Sequence, residues 1–172
     1  MMRRLPASLH RIAGASLIEV MVTVSILGIL AAIAVPSMVT WVRDARLASQ
    51  TDLLVSTLNT ARLEAIKRRS SMTVCPSTDA NSSTASCSTT ASDWSKGWLV
   101  DDASSKILRL LVPQGINVTT AGSVTSVVFN PTLGSTQAAA TFSLCISGRK
   151  QQQVAVALSG RVSKMITSTV CT

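Results

Sequence analysis

The sequence GASLIEV, residues 14–20, marks the start of a long apolar segment. The opening before it is short and cationic, with Arg3, Arg4 and Arg11, and it ends in small residues. Residues 20–42, which follow, form an uncharged run built mostly of Val, Ile, Leu, Met and Ala. About 20 such residues are enough to cross a bilayer as a helix. We therefore expect a membrane-spanning helix that begins at this junction.

Glu19 is the only charged residue between positions 15 and 42. A carboxylate in an apolar helix is costly at bilayer depth unless a partner offsets the charge. If the peptide bond after Gly14 is cut, the new amine of Ala15 can pair with Glu19 of a neighbouring subunit. Such a pair would set the axial register of subunits packed into a filament, so a cut between Gly14 and Ala15 would give Glu19 a role in assembly.

Two alternatives are compatible with an apolar N-terminal segment. One is an ordinary secretory signal peptide, for which the Ala-Ile-Ala sequence at 32–34 would be the cleavage motif, and the other is a plain single-span anchor. The glutamate within the apolar segment, the length of the run and the helix that follows it count against both.

An amphipathic helix is predicted for residues 43–69. Its apolar residues recur at steps of three and four, as the positions of Leu47, Leu54, Leu58, Ala61 and Ala65 show. After residue 71 the pattern alternates, which predicts antiparallel β structure. The expected strands are residues 72–75, 98–101, 107–112, 124–130, 141–147, 153–158 and 161–166. Residues 76–95 are rich in Ser and Thr and are expected to form a loop.

The four cysteines are Cys75, Cys87, Cys145 and Cys171, and no Cys-x-x-Cys pair is present. The single histidine, His10, lies in the predicted leader, so the mature chain has no histidine to share a metal or to complete a Ser-His-Asp arrangement. We therefore predict no metal, no cofactor and no enzymatic activity, and disulfides formed outside the cytoplasm. The pairs Cys75–Cys87 and Cys145–Cys171 are favoured because each closes a local segment, and the other two connectivities stay open.

The junction resembles the prepilin cleavage and assembly signature of type IV pilins and type II secretion pseudopilins. In that signature a short basic leader ends in glycine and glutamate is the fifth residue of the mature chain. Gly28 and Pro36 fit the same pattern and are predicted to kink the helix, whereas Ala15 stands where phenylalanine or methionine is usual. The resemblance implies a precursor that a prepilin peptidase trims and N-methylates on Ala15.

The resemblance also implies where the protein acts. The chain is expected to span the bacterial inner membrane once, in contact with its lipid, with the C-terminal domain in the periplasm. It would then assemble with other major and minor pilins or pseudopilins into a pilus or pseudopilus. Trp41, near the end of the apolar run, is expected at the membrane interface.

Beyond the leader, the chain resembles the GspH/FimT group of minor pilins and pseudopilins. The resemblance is carried by residues 59–69, the Trp-Leu-Val sequence at 98–100, residues 128–131 with Gly134, and Cys145 with residues 159–162. It implies an α+β, pilin-like fold in which a long N-terminal helix packs against an antiparallel β-sheet domain. The expected division is a leader (1–14), a transmembrane and assembly helix (15–42), an amphipathic helix (43–71) and a β-rich domain (72–172).

Three functions are associated with this group. The favoured prediction is a minor pilin that primes or caps a type IV pilus, for pilus biogenesis and twitching motility. The alternatives are a pseudopilin of a type II secretion system and a FimT-like subunit that binds double-stranded DNA during natural transformation.

The DNA-binding members carry a Gly-Arg-x-Arg motif. Here Gly160 and Arg161 are followed by Val162, Ser163 and Lys164, so the second cation is displaced by one residue. Loss of the three leader arginines would still leave a formal charge of +5 from the +8 of the full chain, which suits polyanions. The candidate phosphate contacts are Arg149, Lys150, Arg161 and Lys164, provided that the hairpin turns bring the first two near Arg161. The alternative is that these are solvated cations of turns and of an edge strand.

Overall fold

A computed structural model of the chain describes residues 16–82, 84–102, 106–111 and 115–172. The chain divides into two compact units, residues 1–40 and residues 41–172. Within the described residues, one α-helix and eight strands form the fold that the resemblance implied, with a long N-terminal helix and antiparallel β-sheets. The α+β, pilin-like prediction is confirmed.

Helix α1 runs from Leu17 to Arg68. In its apolar part the hydroxyl groups of Thr23 and Ser25 donate to carbonyl oxygens three and four residues earlier, so neither needs a partner outside the helix. In the C-terminal unit the helix buries one stripe, made of the predicted residues together with Thr51 and Thr57. The helix ends where Arg69 adopts a left-handed conformation, with φ of 53°.

The strands form two four-stranded antiparallel sheets. The first has the order β3 (Lys106–Leu111), β2 (Gly97–Asp101), β1 (Met72–Pro76) and β5 (Val127–Phe129). The second has the order β4 (Asn117–Thr120), β6 (Ala140–Cys145), β7 (Lys150–Val156) and β8 (Val162–Val170). Strand β4 was not predicted from the sequence, and the predicted loop at 76–95 contains a short 3₁₀ helix, Ala91–Ser95.

Two tryptophans anchor the core of the C-terminal unit. Trp94 lies edge-on to Phe142, with ring centroids 4.8 Å apart, and its indole N–H donates to the carbonyl oxygen of Val124 at 2.8 Å. The indole N–H of Trp98 donates to the hydroxyl of Thr57 on α1 at 3.3 Å. Because both polar ends are satisfied, these rings are buried without an unpaired donor. Trp98 thereby joins the first sheet to the helix.

Asp93 is a buried carboxylate in the 3₁₀ helix. It accepts a hydrogen bond from the hydroxyl of Ser88 and forms an ion pair with the ammonium group of Lys96 at 2.9 Å. These two hydrogen bonds, that from Ser88 first, lower the pKa of Asp93 below its ordinary value of 3.8. The ionised form therefore favours the folded state, so this contribution is complete above pH 3.8 and is lost as pH falls through the lowered pKa.

We expect the stability difference between the wild type and Asp93→Asn to shrink progressively below pH 3.8. The measurement is the midpoint of chemical unfolding of the full chain in detergent, at a series of acidic pH values. Ser88→Ala is the matched variant, because it removes the hydrogen bond that lowers the pKa of Asp93 most. In this variant the loss of stability on acidification should occur closer to pH 3.8. A difference between wild type and Asp93→Asn that is independent of pH would contradict this assignment.

Candidate functional site

None of the described residues packs over the most apolar part of α1. Its most apolar window of 18 residues has a mean hydropathy of 2.5, and none of that window is buried. By length and composition this helix is able to cross a membrane. Its exposed side chains include Leu17, Ile29 and Ile33. A surface of this size in water would be unstable, so lipid or other apolar helices must cover it.

Glu19 lies in the first turn of α1 and is exposed. Among residues 17–42 it is the only charged side chain, and no described residue forms an ion pair with it. The amide dipoles at the start of a helix favour a negative charge there, but they do not replace a cationic partner. The predicted partner and cleavage site, Ala15 and Gly14, lie outside the described residues.

The helix continues through both positions predicted to kink it, Gly28 and Pro36. Pro36 has no N–H group, so one hydrogen bond of the helix cannot form there. At Gly28, a Cβ atom would have no neighbour within 4 Å. The kink stays a prediction, and packing within the described chain does not require this glycine.

The cysteines form the two pairs that the sequence favoured. Cys75–Cys87 has a Cα–Cα distance of 5.4 Å and fastens the Ser/Thr-rich loop to β1. Cys145–Cys171 has a Cα–Cα distance of 5.6 Å and fastens the C-terminus to the end of β6. The predicted connectivity is confirmed.

The four candidate DNA contacts do not form one patch. Lys150 pairs with Val170 at one end of β7, and Val156 pairs with Val162 at the other end. Arg161, next to Val162, is thus separated from Lys150 by the length of the strand, roughly 20 Å at 3.3 Å per residue. The condition that hairpin turns bring them together fails, because successive turns of an antiparallel meander lie at opposite ends of the sheet.

Two of these cations are also engaged within the protein. The guanidinium of Arg149 pairs with the carboxylate of Asp44 on α1. The ammonium group of Lys164 lies 2.6 Å from the carboxylate of Asp52, also on α1. Lys164 pairs in register with the buried Val154, so it faces the helix rather than the outer side of the sheet. DNA binding stays a prediction, and this arrangement does not favour it.

Sequence reasoning missed a close junction of α1 with two turns. The guanidinium of Arg62 donates to the carbonyl oxygen of Ser159 at 3.1 Å. Gly134 and Gly160 have φ of 61° and 75°, and both approach Arg62. A Cβ atom on Gly134 would lie 2.7 Å from Cγ of Arg62, and one on Gly160 would overlap the carbonyl oxygen of Gly134. These residues carried the resemblance to the GspH/FimT group, but nothing in their sequence context indicates that they are in contact.

These features define a pilin-type subunit. The exposed apolar helix has a carboxylate in its first turn, and its amphipathic continuation packs on a disulfide-bonded β domain. Comparison with protein families supports this class. The prokaryotic N-terminal methylation motif matches residues 9–35, and the type II transport protein GspH family matches residues 50–160. The chain belongs to the GspH family.

Solved structures agree on the fold. Two crystal forms of the type IV minor pilin FimU of Pseudomonas aeruginosa are similar to this chain, each at 17% sequence identity. The first has a TM-score of 0.56, and the match covers 76% of this chain and 96% of the FimU chain. The second has a TM-score of 0.52, and the match covers 72% of this chain and 96% of the FimU chain. Comparison with the curated proteins finds no match.

These findings establish the general kind of protein. It is a minor pilin or pseudopilin of the type IV pilus and type II secretion class, with an N-terminal anchor of the prepilin kind. Its family is one of structural subunits rather than enzymes.

Proposed function

We propose that this protein is a minor pilin that primes or caps a type IV pilus, and so supports pilus biogenesis and twitching motility. It is made as a precursor, cut after Gly14 by a prepilin peptidase, N-methylated on Ala15 and held in the inner membrane by a single span with its C-terminal unit in the periplasm. The observation that carries this proposal is Glu19, a charged side chain without a described partner in an exposed apolar helix.

The energetic argument concerns where Glu19 finds a partner. A charged side chain costs roughly 3 kcal/mol at the centre of a membrane helix on insertion scales, and less in the first turn, where Glu19 lies. Cleavage creates a cationic amine on Ala15, and this amine can reach Glu19 of a neighbouring subunit that has the matching axial displacement. Pairing between subunits therefore offsets the cost only when the subunits are in register, and this makes Glu19 a determinant of assembly rather than of folding.

Gly28 supports assembly through the same helix. Its missing side chain leaves open space on the surface of α1 rather than making room for another part of the described chain. Small residues of this kind allow the backbones of membrane helices to approach closely. We infer that Gly28 makes room for the apolar helix of a neighbouring subunit.

Cleavage is tested by the intact mass of the protein extracted from membranes that contain a prepilin peptidase. We expect the loss of residues 1–14 and the gain of one methyl group. Gly14→Val should leave the precursor uncut. Ala34→Val, which would abolish a signal-peptidase cut after residue 34, should leave the N-terminus at Ala15. An N-terminus other than Ala15 would rule out prepilin processing.

Glu19→Val should separate processing from assembly. We expect normal cleavage and membrane retention, but a loss of roughly tenfold or more from the sheared filament fraction, because valine cannot form the ion pair between subunits; tenfold corresponds to about 1.4 kcal/mol. The control is Ser25→Val in the same segment, because its hydroxyl is already satisfied by the carbonyl oxygen of Met21. Equal recovery of the Glu19 and Ser25 variants in filaments would refute the pairing.

Priming or capping is tested in the source bacterium by deleting the gene and counting pili per cell. We expect fewer pili and a smaller twitching zone, both restored by the wild-type gene but not by the Glu19→Val variant. If pilus number is unchanged while secretion of exported proteins stops, the subunit is a type II secretion pseudopilin instead.

A further inference from the structure

The C-terminal unit has an unusual surface at its first residue, Trp41. The Trp41 side chain is 68% exposed although it is large and mainly apolar. It follows directly on Thr40, the last residue of the apolar N-terminal unit. Arg43 and Arg46, in the next turn of α1, are exposed as well. An indole beside cations at the end of a membrane span is typical of the bilayer interface.

A groove of about 610 Å³ opens beside Trp41, between α1 and the end of the second sheet. Its apolar lining comes from Trp41, Ala45 and Ala48 on the helix and from Ile166 and Val170 on β8. Ile166 and Val170 are 64% and 56% exposed, so the groove has no apolar cover in the C-terminal unit. We call this region the Trp41 groove.

An irregularity in β8 shapes the Trp41 groove. Lys150 of β7 pairs with Val170 and Gln152 pairs with Ile166, so two residue steps on β7 face four steps on β8. The extra residues bulge at Thr167, whose hydroxyl donates to the carbonyl oxygen of Gln151 at 3.2 Å. The bulge makes this edge a poor template for another strand and leaves apolar side chains facing the groove.

The charge of the Trp41 groove is positive. Asp44 is the only acidic residue in its lining, and Arg149 already neutralises it. Lys150 lines the same groove, is exposed and forms no ion pair with the described residues. An occupant with both an anionic group and an apolar part would match this lining.

We propose that the Trp41 groove docks the C-terminal unit on anionic phospholipid at the membrane surface, before the subunit enters a filament. Lys150 in the groove contacts lipid phosphates together with Arg46, which lies on the neighbouring surface of α1 that Trp41 and Ala45 share. Trp41, Ile166 and Val170 enter the interfacial layer. Continuity with the apolar span favours lipid over an acidic neighbouring subunit, because Trp41 cannot leave the bilayer surface while the helix is inserted. This docking goes beyond the proposed function and does not depend on priming or capping.

The direct test is contact quenching in nanodiscs that hold one copy of the full chain. Trp41→Phe with Val170→Trp places a reporter in the groove, and Trp94 and Trp98 are fully buried, so they supply a constant background. We expect brominated phosphatidylglycerol to quench the reporter about twice as strongly as brominated phosphatidylcholine. Each cation near an anionic surface changes such an equilibrium by roughly fivefold, so Lys150→Glu with Arg46→Glu should abolish the difference.

A second reporter supplies the matched control. Leu133→Trp, with Trp41→Phe, is placed at a side chain that is 72% exposed, beside the turn that contacts Ile66. Position 66 is roughly 30 Å along α1 from the groove residue at position 45, at 1.5 Å per residue. We expect no quenching of this reporter by either lipid.

Salt provides a check that does not depend on the folding of a variant. Raising salt from about 50 mM to about 500 mM should remove the preference for phosphatidylglycerol in the reporter protein itself. Absence of quenching at position 170, or equal quenching by both lipids that neither salt nor the two charge reversals change, overturns the proposal. Because one copy occupies each disc, such a result would overturn lipid docking without bearing on the proposed filament assembly.

Discussion

Gly160→Ala is expected to lower the free energy of unfolding by about 3 kcal/mol, whereas Gly148→Ala should lower it by about 1 kcal/mol. The two glycines are a natural matched pair, since both lie in Ser-Gly-Arg turns and have φ of 75° and 76°. A left-handed conformation costs an alanine roughly 1–2 kcal/mol at either position. Because this cost is the same at both positions, the difference between the variants comes from space: a Cβ atom at Gly148 meets nothing within 4 Å.

At Gly160 the obstacle is backbone rather than a flexible side chain. The new Cβ atom would overlap the carbonyl oxygen of Gly134 and lie 3.0 Å from Nε of Arg62. The Gly134 turn has little freedom to move away, because its N–H donates to the carbonyl oxygen of Asn130 at 3.0 Å. Gly134 also lies close to Arg62, because a Cβ atom on this glycine would be 2.7 Å from Cγ of Arg62. Overpacking of this kind typically costs 1–3 kcal/mol.

The measurement is chemical unfolding of both variants of the full chain in detergent, followed by the signal of the buried tryptophans. Equal losses for the two variants would show that the turn conformation alone sets the cost and that the close approach is unimportant. A loss confined to Gly160→Ala also bears on the Gly-Arg-x-Arg comparison. It would show that Gly160, the glycine of that motif, is needed for packing against Gly134, independently of what the neighbouring cations bind.

The features predicted well from this sequence depend on local periodicity. The buried stripe of α1 repeats at three and four residues, and strands β6 and β7 alternate clearly between buried and less buried positions, so these elements could be identified from adjacent residues. Strand β4 gave too weak a signal, because it is four residues long and buries only Val118. The disulfide pairs were found because each closes a short segment.

The features that were missed depend on pairing between distant parts of the chain. Arg149 and Asp44 are 105 residues apart, and Lys164 and Asp52 are 112 apart. Nothing near either cation reveals a partner on α1, because the register of β7 and β8 and their placement over the helix decide which residues meet. The same reason hid the contact of Arg62 with Ser159, 97 residues away. The sequence therefore did not reveal that Arg149 and Lys164 have carboxylate partners on α1.

Removal of the Cys145–Cys171 disulfide, by serine at both positions, is the second change with a large expected effect. The bond joins residues 26 apart, and a closed loop of that length contributes roughly 3.5 kcal/mol by restricting the unfolded chain. The Cys75–Cys87 pair joins residues 12 apart, for which the same relation gives roughly 3 kcal/mol. Unfolding free energies alone will therefore not distinguish the two bonds clearly.

Local protection of backbone amides should distinguish them. The N–H of Cys171 donates to the carbonyl oxygen of Arg149, and the N–H of Gly148 donates to that of Cys171, both at 2.9 Å. These two bonds close the end of the second sheet beside the Trp41 groove and lose their tether when Cys145–Cys171 is removed. We expect faster hydrogen exchange at Gly148 and Cys171 in that variant, and unchanged exchange there when Cys75 and Cys87 are replaced. Similar exchange at these amides in both variants would mean that β7–β8 pairing, rather than the disulfide, holds the chain end in place.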